Sequence, residues 1–287
     1  MTVDTPLFRQ HSREWRSNRY VYPVISRRSR GLSIGVNLNP SKACTFDCVY
    51  CMVDRSVPGE AGGVDLPRLA AELDQMLELV ASGRLFEEEP FSAAPETLRR
   101  LNDLAFSGNG EPTAAPAFPE ACRVAVAALE RHGLGAAKTV VITNATLLGK
   151  PEVAEALRFL DAHGGEVWAK LDAGTEECYR RVNRSKVPFA KVLENILEAG
   201  RERTLVIQTL FMRMPEGPPS EEELAAYLQR LSELRAGGCR IGLVQLYTLA
   251  RATAVAGLRP LGNDELGAIA ARIRALGLPL EIFGAPA

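Results

Sequence analysis

The sequence predicts an α/β fold in which a parallel sheet is covered by helices. Three observations carry that expectation. Near-continuous apolar segments alternate with longer amphipathic ones, giving six main strands and a weak seventh. Strands buried on both faces read as unbroken apolar runs, and the helices that cover them show apolar residues three and four apart. Polar side chains collect where the apolar segments stop, and in a barrel of parallel strands that end carries the active site. Finally, a loop with three cysteines follows the first strand directly.

Residues 32–40 alternate apolar and polar and stop at Pro40, as a strand does. The cysteine loop comes next, and a Gly- and Pro-containing connection runs on to Gly63. Leu66, Leu69, Leu73, Met76, Leu77 and Val80 then recur at helical spacing behind Asp65, a good N-cap. The acidic stretch Glu87-Glu88-Glu89-Pro90 reads as loop. A second strand covers 103–107 and ends in the turn Gly108-Asn109-Gly110-Glu111-Pro112-Thr113. A helix of about 14 residues reaches Gly133. Strand 139–144, a helix after Pro151 and strand 166–172 follow. Phe189, Val192, Leu193, Ile196 and Leu197 mark a further helix with Gly200 as its stop, before strand 204–211. Ser220 and Glu223 have capping-box spacing ahead of Leu224, Tyr227, Leu228, Leu231 and Leu234. Strand 242–247, a helix over 263–276 and the weak strand 278–283 complete the pattern.

Length and composition restrict the function classes. A chain of 287 residues with 46% hydrophobic content has a sizeable core, and a net charge of −1 argues against a general nucleic-acid binder. The first residues lack a signal peptide and no apolar run has membrane-span length, so a cytoplasmic protein without membrane contact is expected. Residues 1–31 stand apart from 32–287. Seven arginines (Arg9, Arg13, Arg16, Arg19, Arg27, Arg28 and Arg30) oppose Glu14 and interleave with Phe8, Trp15, Tyr20 and Tyr22. Such a leader either contacts RNA phosphates and bases, or is a solvated basic segment that packs its aromatics on the barrel or pairs with acidic surface.

Cys44, Cys48 and Cys51 have C-x3-C-x2-C spacing. Thiolates this close hold a metal more readily than they form disulfides, and sulfur ligands select zinc, copper or an iron–sulfur cluster. Closed zinc sites need four ligands, yet no second Cys pair follows and His11, His132 and His163 are scattered. Three thiolates suggest a [4Fe–4S] cluster with one open iron. Zinc, or a purely structural cluster in a non-catalytic regulatory protein, is the alternative. Cys122, Cys178 and Cys239 read as small buried hydrophobes. The polar strand-end set is Asn39, Ser107, Thr143, Asn144, Lys170, Asp172, Gln208, Thr209, Gln245 and Tyr247.

With Tyr50 just before the last cysteine, the motif resembles that of the radical S-adenosylmethionine (radical SAM) superfamily, and Gly108-Asn109-Gly110-Glu111-Pro112 resembles its G-G-E-P segment with Asn109 in place of the second glycine. Residues 34–40, 170–175 and 244–251 are similar to the radical SAM group that includes wyosine-type tRNA base synthases. Archaeal wyosine synthase has three further cluster cysteines upstream; none precedes Cys44 here, so the resemblance gives a group and no substrate. It implies a partial (β/α)6 parallel barrel with a C-terminal extension. It also implies cluster ligation by Cys44, Cys48 and Cys51, with the methionine end of SAM on the open iron. SAM cleavage then gives a 5′-deoxyadenosyl radical that abstracts hydrogen from a substrate, with an RNA base as one candidate and a small molecule or protein as others. Tyr50 is expected near adenine, and Gly108, Asn109, Gly110 and Glu111 at SAM's amino group. Thr143 and Asn144 are expected at its ribose or carboxylate, and Lys170 and Asp172 beside substrate or SAM. An electron donor of flavodoxin or ferredoxin type is implied as partner.

Overall fold

The computed structural model describes residues 5–9, 12–251 and 253–285. Among these residues, eight strands form one sheet: β1 (Val21–Ser26), β2 (Gly31–Val36), β3 (Leu101–Phe106), β4 (Lys138–Thr143), β5 (Gly165–Lys170), β6 (Thr204–Leu210), β8 (Arg240–Tyr247) and β10 (Leu280–Phe283), adjacent in that order. All neighbours are parallel except β1 and β2, which form an antiparallel hairpin. The short strands β7 (Met212–Arg213) and β9 (Arg259–Pro260) pair separately. The main sheet curls into a partial barrel, as expected.

Helices α1 (Leu66–Ala81), α2 (Phe118–Arg131), α3 (Pro151–Asp161), α5 (Phe189–Glu202), α6 (Glu221–Ala236) and α7 (Asn263–Ala275) cover the outside, and a short helix α4 (Glu176–Asn183) lies between β5 and α5. The expected periodicity of α1 is its buried face: Leu69, Leu73, Met76 and Leu77 are fully buried. Asp65 caps it by accepting from Arg68 N at 3.0 Å. Ser220 accepts from Glu223 N at 3.2 Å, but the Glu223 carboxylate does not return to the cap. It accepts instead from Thr175 Oγ1 at 2.6 Å and from the backbone N–H groups of Gly174 and Thr175, where the N-terminus of α4 leaves donors to be satisfied.

The leader belongs to the packed structure. Residues 1–31 were set apart in the sequence, yet β1 lies inside that stretch and all six of its residues are buried. Pro23 disguised it, since proline is confined to edge strands, and β1 is an edge strand. Trp15 packs edge-on against Phe91 with centroids 5.7 Å apart. Phe8, Tyr20 and Tyr22 are also buried. The buried Glu72 carboxylate accepts from Arg19 N (2.8 Å), Tyr20 N (2.8 Å) and Val21 N (3.2 Å), which fastens the leader backbone to α1. Of the two readings of the leader, packing on the barrel is the one the structure shows.

Candidate functional site at the carboxyl ends of the strands

The loop carrying the three cysteines is held between two neighbours. On one side it meets the turn after β3. A Cβ on Gly110 would stand 1.9 Å from Ala43 O, so only glycine allows this approach. Glu111 N donates to Ala43 O at 3.2 Å. Asn37 Oδ1 accepts from Asn39 N and Asn109 N, both at 3.1 Å, and so ties the end of β2 to the same turn. Gly108 has φ 149°, and a Cβ there would meet Asn37 Oδ1 at 2.6 Å. On the other side, Asp47 N and Val49 N donate to Asn183 O and Val182 O at the end of α4, both at 2.9 Å.

Each thiol faces an N–H donor. Arg55 Nη1 lies 3.1 Å and Val53 N 3.5 Å from Cys51 Sγ. Asn183 Nδ2 lies 3.5 Å from Cys48 Sγ, and Asn144 Nδ2 lies 3.7 Å from Cys44 Sγ. Burial raises the Cys44 pKa and pushes Cys48 up to about 12. A bare thiol there keeps its proton; a metal must displace it to gain a thiolate. All six cysteines are free.

The thiols open into a cavity of about 250 Å³ whose wall includes Tyr50, Gly108, Gly110, Glu111, Asn144 and Lys170. Glu111 is buried and its carboxylate is fully engaged. It accepts from Thr113 Oγ1 (2.6 Å), Thr113 N (3.2 Å), Thr143 Oγ1 (2.7 Å) and Asn144 N (2.7 Å). Burial raises its pKa against those four donors. Thr143 is buried in this latch. Asn144 faces the cysteines, with Nδ2 2.8 Å from Thr45 Oγ1.

Across the cavity, Lys170 Nζ lies 3.4 Å from Asp172 Oδ2 and donates to Tyr247 Oη at 2.8 Å. It sits 4.9 Å from the Tyr50 ring centroid and 5.4 Å from that of Tyr247. Burial opposes its charge, but Asp172 and Tyr247 outweigh that and raise its pKa above the usual lysine value. Asp172 is buried and accepts from Leu210 N (2.9 Å), Asn183 Nδ2 (3.1 Å) and the Tyr50 hydroxyl. Burial, then the Asp172 charge, push the Tyr50 phenol well above its ordinary value. The site therefore holds a charged ammonium between the Tyr50 ring, the Tyr247 hydroxyl and the Asp172 carboxylate.

A wider opening of about 1220 Å³ surrounds the amino ends of the strands, with Arg100, Lys138, Glu166 and Thr204 in its wall. It contains none of the cysteines and lies at the end of the barrel that serves stability.

A sequence profile described as the Radical SAM superfamily matches residues 38–231. The chain belongs to the radical SAM superfamily. Enzymes of this superfamily use a [4Fe–4S] cluster and S-adenosylmethionine. Among curated proteins, the chain is similar to a UPF0026 protein of Helicobacter pylori, 29% identical over 177 residues, 61% of this chain and 48% of the relative. It is also similar to a UPF0026 protein of Synechocystis sp., 26% identical over 220 residues, 75% of this chain and 71% of the relative. The chain thus spans about half the length of the Helicobacter relative. Among solved structures, it resembles a radical SAM methyltransferase from Sphaerobacter thermophilus with a TM-score of 0.60 at 15% identity, covering 88% of this chain and 66% of that one. Streptococcus suis SuiB bound to S-adenosylmethionine gives a TM-score of 0.56 at 13% identity, covering 90% and 49%. TYW1 with a lysine-pyruvate adduct gives 0.54 at 17%, covering 86% and 74%. These likenesses show the fold.

The donor set fits the superfamily's cluster: three free thiols on one loop, each meeting an N–H group, beside a cavity. Among the described residues no three His, Cys, Asp or Glu side chains close on a single ion. An iron–sulfur cube takes each thiolate on a different iron and needs no such convergence. The structure brings the cysteines, Tyr50, the turn 108–111, Thr143, Asn144, Lys170 and Asp172 to this end of the barrel; of the polar strand-end set, Gln245 instead lines the amino-end opening and Thr209 turns to Tyr227 of α6, 2.6 Å away. It adds Arg55 and Asn183, which the sequence reading passed over. Arg55 lies four residues after Cys51, a spacing that could have drawn attention to it; Asn183 carried no signal, because α4 itself was not expected.

Proposed function

We propose that Cys44, Cys48 and Cys51 hold the [4Fe–4S] cluster, and that the adjoining cavity receives S-adenosylmethionine and an organic substrate from which hydrogen is abstracted. The observation that carries this reading is the set of three free thiols, each facing an N–H donor, at the mouth of a cavity on the carboxyl ends of the strands. When bound, the cluster and SAM supply the reducing electron and the 5′-deoxyadenosyl radical of the superfamily's chemistry. The chain's own residues bind, orient and exclude water.

Gly108 and Gly110 present backbone to the cavity, while the four donors on Glu111 commit its carboxylate to shaping that turn. The turn backbone is therefore the proposed partner of SAM's amino group, and Asn144 that of its ribose or carboxylate. Thr143 acts through Glu111. Tyr50 offers its ring to adenine with its hydroxyl held by Asp172. Lys170 keeps its proton and serves as a fixed positive charge beside substrate or SAM. A one-electron carrier of flavodoxin or ferredoxin type is the proposed reductant, and exposed Met52 beside Cys51 marks the side on which it would approach.

The RNA-base reading of the sequence rested on the leader and on the resemblance to wyosine-type tRNA base synthases. The leader's aromatics are buried and therefore provide no stacking platform for bases. We favour a substrate small enough to enter the barrel. The test is anaerobic reconstitution with iron and sulfide, followed by dithionite and SAM. Formation of 5′-deoxyadenosine is expected; its absence from a fully clustered sample refutes the reading. Comparison of nucleosides from cells with and without the gene tests the RNA alternative, which a missing modified base would restore.

A further inference from the structure

Resting on the proposed function, we propose that Arg251, Arg13 and Arg28 form a binding site for an oxyanion carried by the substrate, which is therefore a phosphate- or carboxylate-bearing organic molecule. Arg251 lies in the loop after β8. Its Nη1 is buried and has no hydrogen-bond partner among the described residues. A buried guanidinium N–H without an acceptor is costly, and its planar fork matches the paired oxygens of phosphate or carboxylate.

The surroundings are electropositive. Burial, then the charges of Arg28, Arg27 and Arg13, push the Arg251 pKa down to about 10. Folding has thus gathered several guanidinium groups around one space against their mutual repulsion. Arg13 uses one nitrogen on Asn109 Oδ1 at 2.9 Å, and Arg28 uses one on Gln208 Oε1 at 3.1 Å while stacking over Tyr247 at 5.1 Å. Those contacts fix the direction of each guanidinium and occupy neutral oxygens, which leaves the charge uncancelled by them. The Asp103 carboxylate, within electrostatic range of Arg28, is bonded to the Ser33 hydroxyl.

Arg13, Arg28 and Arg251 line the cavity that contains the three cysteines. They also line an adjoining space of about 200 Å³ that reaches Tyr50, Cys51 and Tyr247. An anion held there places the rest of a bound molecule against the cysteine loop. The Glu111 and Asn144 wall proposed for SAM follows β3 and β4, and Arg13 reaches it at Asn109, whereas Arg28 and Arg251 come from the hairpin after β1 and the loop after β8. Two groups, one near each wall, can therefore be held at once.

Anaerobic isothermal titration of the reconstituted protein provides the test, with inorganic phosphate, acetate and SAM as separate probes at constant ionic strength. Saturable phosphate or acetate binding is expected, weakened at least ten-fold by Arg251→Gln and less by Arg251→Lys, which keeps charge and loses the fork. SAM affinity should change less than two-fold. The tighter of the two anions names the substrate's group. Equal anion binding by parent and R251Q overturns the proposal. So does a loss of SAM affinity as large as the loss of anion affinity, which would assign the arginines to SAM's own carboxylate. If R251Q does not fold, as judged by its melting curve, Arg28→Gln, whose contacts are Gln208 and Tyr247, is read by the same criteria. A parent that binds phosphate but forms no 5′-deoxyadenosine would refute the proposed function and leave the anion site standing.

Discussion

Replacing Glu111 by Gln separates a SAM ligand from a structural latch. In the structure one carboxylate oxygen accepts from Thr113 N, Thr113 Oγ1 and Thr143 Oγ1, and the other accepts from Asn144 N at 2.7 Å. Gln keeps the shape but must place an NH2 group where one oxygen stood. The least costly orientation keeps the three-donor oxygen and turns the NH2 toward Asn144 N–H. One charge-assisted hydrogen bond is lost, worth about 1.5–3 kcal/mol, and a buried donor is left facing another donor. Relaxation of the turn recovers part of this, so the expected net cost is about 3 kcal/mol. At roughly 2–4 °C per kcal/mol for a domain of this class, the melting temperature of the cluster-free protein should fall by about 6–12 °C. Calorimetry of the apoprotein is the assay, because no SAM is present and ligand binding cannot contribute. Asn144 follows β4 directly and faces Cys44, so iron uptake should also become less complete. An unchanged melting temperature combined with weakened SAM binding would refute the latch and return the carboxylate to the role expected from the sequence.

Changing any one of Cys44, Cys48 or Cys51 to Ala should remove most of the iron from reconstituted protein, whereas Cys122→Ala and Cys239→Ala should retain it, as measured by iron and sulfide content; loss of iron from the Cys239 variant would contradict the assignment. Arg55→Gln removes a positive donor 3.1 Å from Cys51 Sγ and should lower the cluster's potential by roughly 30–60 mV in a redox titration, about 1 kcal/mol for a one-electron couple; an unmoved potential would show that the contact does not reach the cluster. Lys170→Met leaves the Asp172 carboxylate buried without its cation, at a cost of about 3 kcal/mol in urea unfolding; a variant as stable as the parent would show that Tyr50, Asn183 and Leu210 suffice to hold that charge. Tyr247→Phe removes only the 2.8 Å hydroxyl contact and should cost about 1 kcal/mol in the same assay.

Much of this site was legible in the sequence because its parts obey local rules. Cysteine spacing is a chemical constraint within one loop. The turn at Gly108 and Gly110 announces a backbone that must pass close to another chain segment, and Ala43 is that segment. Six parallel strands, buried on both sides, show as apolar runs. What stayed hidden depends on distant packing. β1 carries a proline and lies among arginines, so its pattern resembled a solvated leader; its six residues are buried because β2 and α1 cover them. Helix α4 is eight residues long and rich in charge, and it is held through Glu223 far along the chain. The partner of Glu223 could not be read from capping-box spacing, because the orphan donors at α4 compete for the same carboxylate. Arg251 is one arginine in a loop until the leader folds Arg13 and Arg28 beside it.

The most direct test of the central claim, a cluster on Cys44, Cys48 and Cys51 that opens toward a SAM-binding cavity, is the electron paramagnetic resonance spectrum of the reduced, reconstituted protein with and without SAM. Three protein thiolates leave one iron to an exogenous ligand, and the cavity lies beside all three cysteines. A [4Fe–4S]+ signal is expected that changes when SAM is added and is absent from the Cys48→Ala variant. A cluster signal indifferent to saturating SAM, or one that survives in that variant, would contradict the claim.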